Sequence, residues 1–159
     1  MIIRPCRDDE HAAMATIINA AAEKYRGVIP SECFHDPYMS DDALAADIAK
    51  GVAFWGSEDA GALLGVMGLQ IVKGQALIRH AYVRPALQGR GIGSALLSYL
   101  IGKQEGPILV GTWADASWAI GFYQRHGFVL TTRDETVRLL RTYWTISERQ
   151  IETSVVLRR

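Results

Sequence analysis

Between Ala81 and Leu97 the chain reads AYVRPALQGRGIGSALL, with glycines alternating at 89, 91 and 93 just before an apolar run. Glycine lets consecutive backbone N–H groups turn inward without Cβ clashes. A helix starting there adds its unpaired first-turn N–H groups and the positive end of its dipole. Such a place receives an anion, and a pyrophosphate is its natural occupant. Arg84 and Arg90 bring positive charge to the same stretch. Two familiar phosphate loops are excluded. The fingerprint G-x-G-x-x-G fails at Ser94 when counted from Gly89 and at Leu96 when counted from Gly91. No G-K-[ST] occurs, because Gly102–Lys103 is followed by Gln104.

Other residues with chemical capacity are scattered. His80 lies on the strand that feeds the glycines, and histidine is the side chain suited to exchanging a proton near neutrality. Tyr123 follows Phe122 in the segment WADASWAIGFYQRHGFV. His35 and Tyr38 stand in an irregular stretch, Arg26–Met39, with Glu32 and Asp36. His126 precedes Gly127 and complements a helix C-terminus, and His11 fits an exposed helical face. Trp55, Trp113, Trp118, Tyr143 and Trp144 read as core. Cys6 and Cys33 belong to no C-x-x-C or Cys/His metal pattern, so no metal is expected and the thiols read as reduced.

The elements that must position these residues follow from periodicity and punctuation. Ile2–Pro5 reads as a strand and Asp8–Tyr25 as a helix, with Asp8 or Asp9 as its cap. Ser40 caps a helix that runs to Lys50 and stops at Gly51. Val52–Trp55, Leu63–Val72 and Leu77–Val83 are strand-like, separated by turn signals at Asp59–Gly61 and Lys73–Gly74. A helix follows the glycines to Gly102. Next come a strand at Ile108–Trp113, a helix at Ser117–His126 and a strand at Phe128–Thr132, then a helix at Glu135–Tyr143 and a strand at Ile151–Leu157. This order predicts a mixed α/β fold: a largely antiparallel twisted sheet of about seven strands flanked by four or five helices.

The 159 residues are 49% hydrophobic and 21% charged, with 17 basic against 17 acidic side chains. That length suits a single domain over 1–159 with a real core, and the neutral balance argues against nucleic acid or an anionic membrane as partner. The opening MIIRPCRDDEH has no apolar run of the kind a secretory signal needs, so a cytoplasmic location is expected.

Gln88-x-x-Gly91-x-Gly93, preceded by a strand and by Val83-x-Pro85, resembles the acetyl-CoA loop of the GNAT superfamily of N-acetyltransferases. The downstream segment resembles the second GNAT motif, with Ala119, Phe122, Tyr123, Gly127 and Phe128 in register. Ala116 stands where many members have Asn, which removes one side-chain bond to the pantetheine arm. The resemblance implies acetyl-CoA as cosubstrate and transfer of its acetyl group to a primary amine of a small molecule. Cofactor contacts fall on Tyr82, Val83, Arg84, Gln88, Gly89, Arg90, Gly91, Ile92, Gly93 and Ser94. It also implies a backbone oxyanion donor near Val83, Tyr123 as general acid, His80 as base, and an acceptor pocket bordered by His35 and Tyr38. Tyr143 and Trp144 either pack in the core or cap that pocket. A protein N-terminus or lysine is the alternative acceptor, a non-catalytic acyl-CoA sensor the alternative activity, and a homodimer is compatible with the family.

Overall fold

The computed structural model describes all residues from Met1 to Arg159. Seven strands form one sheet: β1 (Ile2–Pro5), β2 (Ala53–Asp59), β3 (Ala62–Val72), β4 (Gln75–Val83), β5 (Ile108–Trp113), β6 (Val129–Leu130) and β7 (Ser154–Arg158). Their order is β1-β2-β3-β4-β5-β7-β6, and only β4 and β5 run parallel. The turns between β2 and β3 and between β3 and β4 are two-residue reversals. Ala60–Gly61 and Lys73–Gly74 take positive φ at both positions, the hand that matches strand twist.

Six α-helices cover the sheet: α1 (His11–Ala22), α2 (Asp41–Ala49), α3 (Ile92–Gly102), α4 (Ser117–Arg125), α5 (Arg133–Tyr143) and α6 (Glu148–Glu152). The sixth exceeds the expected number. It is a single turn with a reciprocal cap between Ser147 and Gln150, and it shortens the last strand to Ser154–Arg158. The first helix is also shorter than its periodicity suggests, because Asp8–Glu10 and Glu23–Tyr25 wind as 3-10 turns at its two ends. Ser40 caps α2 as expected, its hydroxyl accepting from the Ala43 N–H at 3.0 Å.

The core divides by face. On one face α3 and α4 bury Leu96, Leu97, Leu100 and Phe128 against Ile78, Ile108 and Val110. On the other, α1 and α2 pack Met14, Ile18 and Leu44 on Phe54, Leu63 and Val66, while α5 and α6 cover Leu77 and Leu109. No helix is long and apolar enough to cross a membrane.

A bulge interrupts the pairing of β3 with β4. Val66 faces Tyr82 and Gly68 faces Arg79, so Met67 opposes two residues, His80 and Ala81. His80 takes φ +51°, a conformation that costs an L-residue about 1–3 kcal/mol and needs surrounding structure to hold it. The extra residue places Leu77, His80 and Tyr82 on one face and Ile78, Ala81 and Val83 on the other. Gly68 is required here. A Cβ at this position would stand 2.7 Å from Val52 Cγ1 and 2.9 Å from the Arg79 carbonyl oxygen.

Two predictions follow from these contacts. Replacing Gly68 with Ala is expected to destabilise the protein by about 1–3 kcal/mol, read as a lower urea midpoint at unchanged slope. The Arg4 guanidinium contacts Glu10 at 2.8 Å and Glu58 at 3.0 Å, and its hydrogen bonds hold the Glu10 carboxyl down to about 2. A carboxyl depressed on folding stabilises above its unfolded value and ceases to do so as pH falls through its folded value. Thermal midpoints are therefore expected to drop between about pH 4.5 and 2, and Glu10→Gln to flatten that drop.

Candidate active site

Pairing between β4 and β5 joins Ala76 to Ile108, Leu77 to Leu109 and Ile78 to Val110, and then stops. Beyond that point β4 follows β3 and β5 follows β7. The strands splay, and a cavity of about 560 Å³ fills the opening. Its walls come from both faces of the sheet: α3 and α4 on one side, the end of α1 with α5 and α6 on the other. Trp144 lies beneath, its ring 3.2 Å from where a Cβ on Gly111 would be.

At one end stands the glycine loop. Gly89 and Gly91 have φ of +80° and +83°, and Gly91 is the N-cap of α3. None of the six consecutive N–H groups from Gly89 to Ser94 donates a hydrogen bond within the protein. The first helical bond runs from Ala95 N–H to the Gly91 carbonyl. Six free donors at a helix N-terminus make a cradle for a diphosphate. Gly93 faces the Phe122 ring, which a Cβ would meet at 3.5 Å. The ionisable wall residues are Lys24, Arg79, His80, Arg125 and four tyrosines, and no carboxylate lines the cavity. An anionic thioester donor therefore fits both the loop and the charge around it.

Tyr82, Val83, Gln88, Gly89, Gly91, Ile92, Gly93 and Ser94 all line the cavity. Two expected contacts do not. The Arg84 guanidinium donates to the Leu63 carbonyl at 2.6 Å and its N–H to the Leu64 carbonyl, so β3 consumes both. Arg90 is exposed at the outer side of the loop. Arg125, which the sequence reading ascribed to no site, reaches the cavity from the last turn of α4. Ala116 is buried against Ile29, Cys33 and Trp113, while Asp115 is exposed and does not replace the missing Asn.

Tyr123 is buried in a T-shaped stack between Phe122 and Phe128. It lines the cavity, and its hydroxyl has no partner within the chain. Burial, with the nearby Tyr25, pushes this phenol above its ordinary value, so it stays a proton donor across neutral and mildly alkaline pH.

His80 lies on the opposite face. Its Nε2 is 2.7 Å from Asp47 Oδ2 on α2, and its ring stacks on Phe54 at 5.9 Å. Burial raises the Asp47 carboxyl, but the His80 hydrogen bond and the charges of His80, Arg79 and Lys50 outweigh it and hold the group below its ordinary value. An ionised Asp47 only accepts, so Nε2 carries the proton and Nδ1 is the free ring nitrogen. No sequence signal joins positions 47 and 80; only the packing of α2 on the sheet does.

Of the two residues expected at the acceptor side, the structure brings one. Tyr38 lines the cavity and its hydroxyl accepts from Trp113 Nε1 at 2.9 Å, whereas His35 is exposed and away from it. Tyr25 and Trp118, not singled out for chemistry by sequence, complete that wall in a stack at 5.9 Å. Trp144 also lines the cavity and Tyr143 does not. Cys6 is outside it, its thiol pushed up to about 11 by burial, and Cys33 is buried with its thiol also raised. No cluster of metal-ligating side chains is present.

The family model of the GNAT acetyltransferase domain matches residues 50–130, the span from the end of α2 through the splay and both motifs. The chain belongs to the GNAT family. PaiA N-acetyltransferase of Thermoplasma acidophilum, solved with coenzyme A, superposes with a TM-score of 0.73 at 17% identity, covering 99% of this chain and 97% of that one. YncA of Salmonella typhimurium, solved with acetyl-CoA, gives 0.67 at 20% identity, covering 99% and 92%. The ribosomal-protein-S18-alanine N-acetyltransferase of Escherichia coli gives 0.69 at 18% identity, covering 99% and 91%. Among curated proteins no sequence match is found. The GNAT fold is thus established over the full length, and the acetyl donor of this family of transferases is acetyl-CoA.

The cradle is directly testable. Gly91→Val forces a β-branched residue into φ +83° and is expected to weaken CoA binding at least tenfold by titration calorimetry. Arg84→Ala, which removes a side chain turned to β3, is expected to leave that affinity within twofold.

Proposed function

We propose that this GNAT domain, acting over 1–159, transfers the acetyl group of acetyl-CoA directly to a primary amine of a small molecule. The observation carrying the reading is the run of six unpaired N–H groups from Gly89 to Ser94 at the mouth of the cavity between β4 and β5. These amides, with Gln88 beside them, bind the diphosphate. The free edges of β4 and β5 receive the pantetheine arm as an added strand along Tyr82 and Val83.

Tyr123 and His80 line the cavity from opposite sides of the splay. As the amine nitrogen bonds to the thioester carbon, His80 Nδ1 takes the proton that nitrogen sheds, while Asp47 steadies the imidazole through Nε2. A backbone N–H near Val83 meets the charge that develops on the carbonyl oxygen. The carbon–sulfur bond breaks, and Tyr123 supplies the proton that leaves with the sulfur as free thiol. The products are the acetylated amine and CoA; the His80 imidazolium then gives up its proton to solvent and the Tyr123 phenolate takes one back, which restores both groups. Tyr38 borders the acceptor.

An acyl-CoA sensor lacks support here, since it needs neither a donor at position 123 nor a paired histidine. The decisive experiment is a thiol-release screen of acetyl-CoA against an amine library. Tyr123→Phe is expected to lower kcat by about 10²–10³ with acetyl-CoA affinity within threefold. Because this phenol is raised, kcat is expected to show no loss from its ionisation below about pH 10. CoA binding without turnover on any amine would overturn the transferase reading, and turnover on protein N-termini or lysines alone would overturn the small acceptor.

A further inference from the structure

The cavity wall on the α1 side is almost wholly aromatic. Tyr25 lies 5.4 Å from Tyr38, 6.4 Å from Tyr82 and 5.9 Å from Trp118, ring centre to ring centre, and Trp113 joins through its bond to Tyr38. Burial keeps the phenols of Tyr25, Tyr38 and Tyr82 above their ordinary value, so they offer neutral O–H groups. The charges at this wall are positive. Lys24 lines it, Arg79 lines the cavity with its guanidinium turned to Gln70, and no Asp or Glu is among the lining residues. Asp47 is spent on His80. The Trp118 face, which would attract a foreign cation, already carries the chain's own: Lys24 Nζ sits 4.6 Å over it.

An ammonium entering this wall would find no carboxylate and the like charge of Lys24. A neutral amine on a flat body would find rings to stack on and phenols to donate to a carbonyl. We propose that the acceptor is a weakly basic amine on an aromatic body, an α-amine beside an amide carbonyl, and not the strongly basic amine of a polyamine or a lysine side chain. The assignment rests on the acetyltransferase reading and narrows its acceptor.

The chemistry favours it on proton grounds as well. An α-amine of pKa about 7.8 is roughly one-third neutral at pH 7.5, whereas an amine of pKa about 10.4 is neutral in about one molecule in a thousand. The site holds one imidazole and no carboxylate to strip that second class. A free aromatic amino amide and a peptide with an N-terminal aromatic residue share the favoured chemistry.

The test uses the full chain saturated with CoA or acetyl-CoA at pH 7.5. Probes are phenylalaninamide, a hexapeptide beginning with phenylalanine, 1,6-diaminohexane, and phenylalaninamide carrying a permanent trimethylammonium. Thiol release is expected to give phenylalaninamide a kcat/KM at least tenfold above the diamine. Quenching of tryptophan fluorescence is expected with the amide and not with the trimethylated cation. Lys24→Glu, an exposed change, is expected to narrow the amide-to-diamine ratio at least tenfold, and Trp118→Ala to raise KM for the amide at least tenfold. A faster peptide would assign the source to polypeptide N-termini and keep the acceptor class. Selective quenching without thiol release would keep the class and break the transfer reading. Equal or better use of the diamine, tighter binding of the permanent cation, or no response to any probe would overturn the proposal.

Discussion

Parallel strands that hydrogen-bond along their whole length leave nothing between them, and the function here depends on two strands that cease to do so. β4 and β5 share three register pairs and then part. The cause lies in the chain itself. A bulge at His80 turns the second half of β4, β3 holds the turned segment from one side, and β7 holds β5 from the other. Unpaired strand edges in a protein interior are costly unless something satisfies them. The amide-rich pantetheine arm proposed to lie between them would do so, which makes the opening a binding site by the same physics that would otherwise make it a defect.

Charge and hydrogen bonding then sort the opening into regions. The loop after β4 gathers donors, because glycines at positive φ and the start of α3 leave a whole run of N–H groups unclaimed. The far wall gathers rings and hydroxyls. Between them stand a phenol that burial keeps protonated and an imidazole that a carboxylate keeps oriented. Each group has its state set by its surroundings on the sheet and not by its neighbours in sequence.

That distinction explains what could be read from the chain alone. Turn residues, the Ser40 cap, the Gly127 helix stop and the glycine loop act over a few positions, and their types are dictated by local backbone geometry, so they were legible. The two motifs were legible for the same reason, each being one strand–loop–helix or helix–turn unit. The bulge at His80 carries no local mark; its requirement appears at Gly68, on another strand. Asp47 reaches His80 across 33 positions, and Tyr25 reaches Trp118 across 93, so neither pairing has a period or spacing to betray it. Arg84 looked like a phosphate ligand by proximity, but a nearer acceptor on β3 captured it. The turn of α6 was hidden because five residues are too few to show a period.

The chamber is walled from both faces of the sheet, and this bears on the kinetic order of events. On the proposed reading, a donor held between β4 and β5 and an acceptor against the α1 wall share one volume, so both are accommodated at once. No acyl group has to be parked on the polypeptide in the meantime. The chain is consistent with this economy: burial raises both of its thiols, and neither lines the chamber.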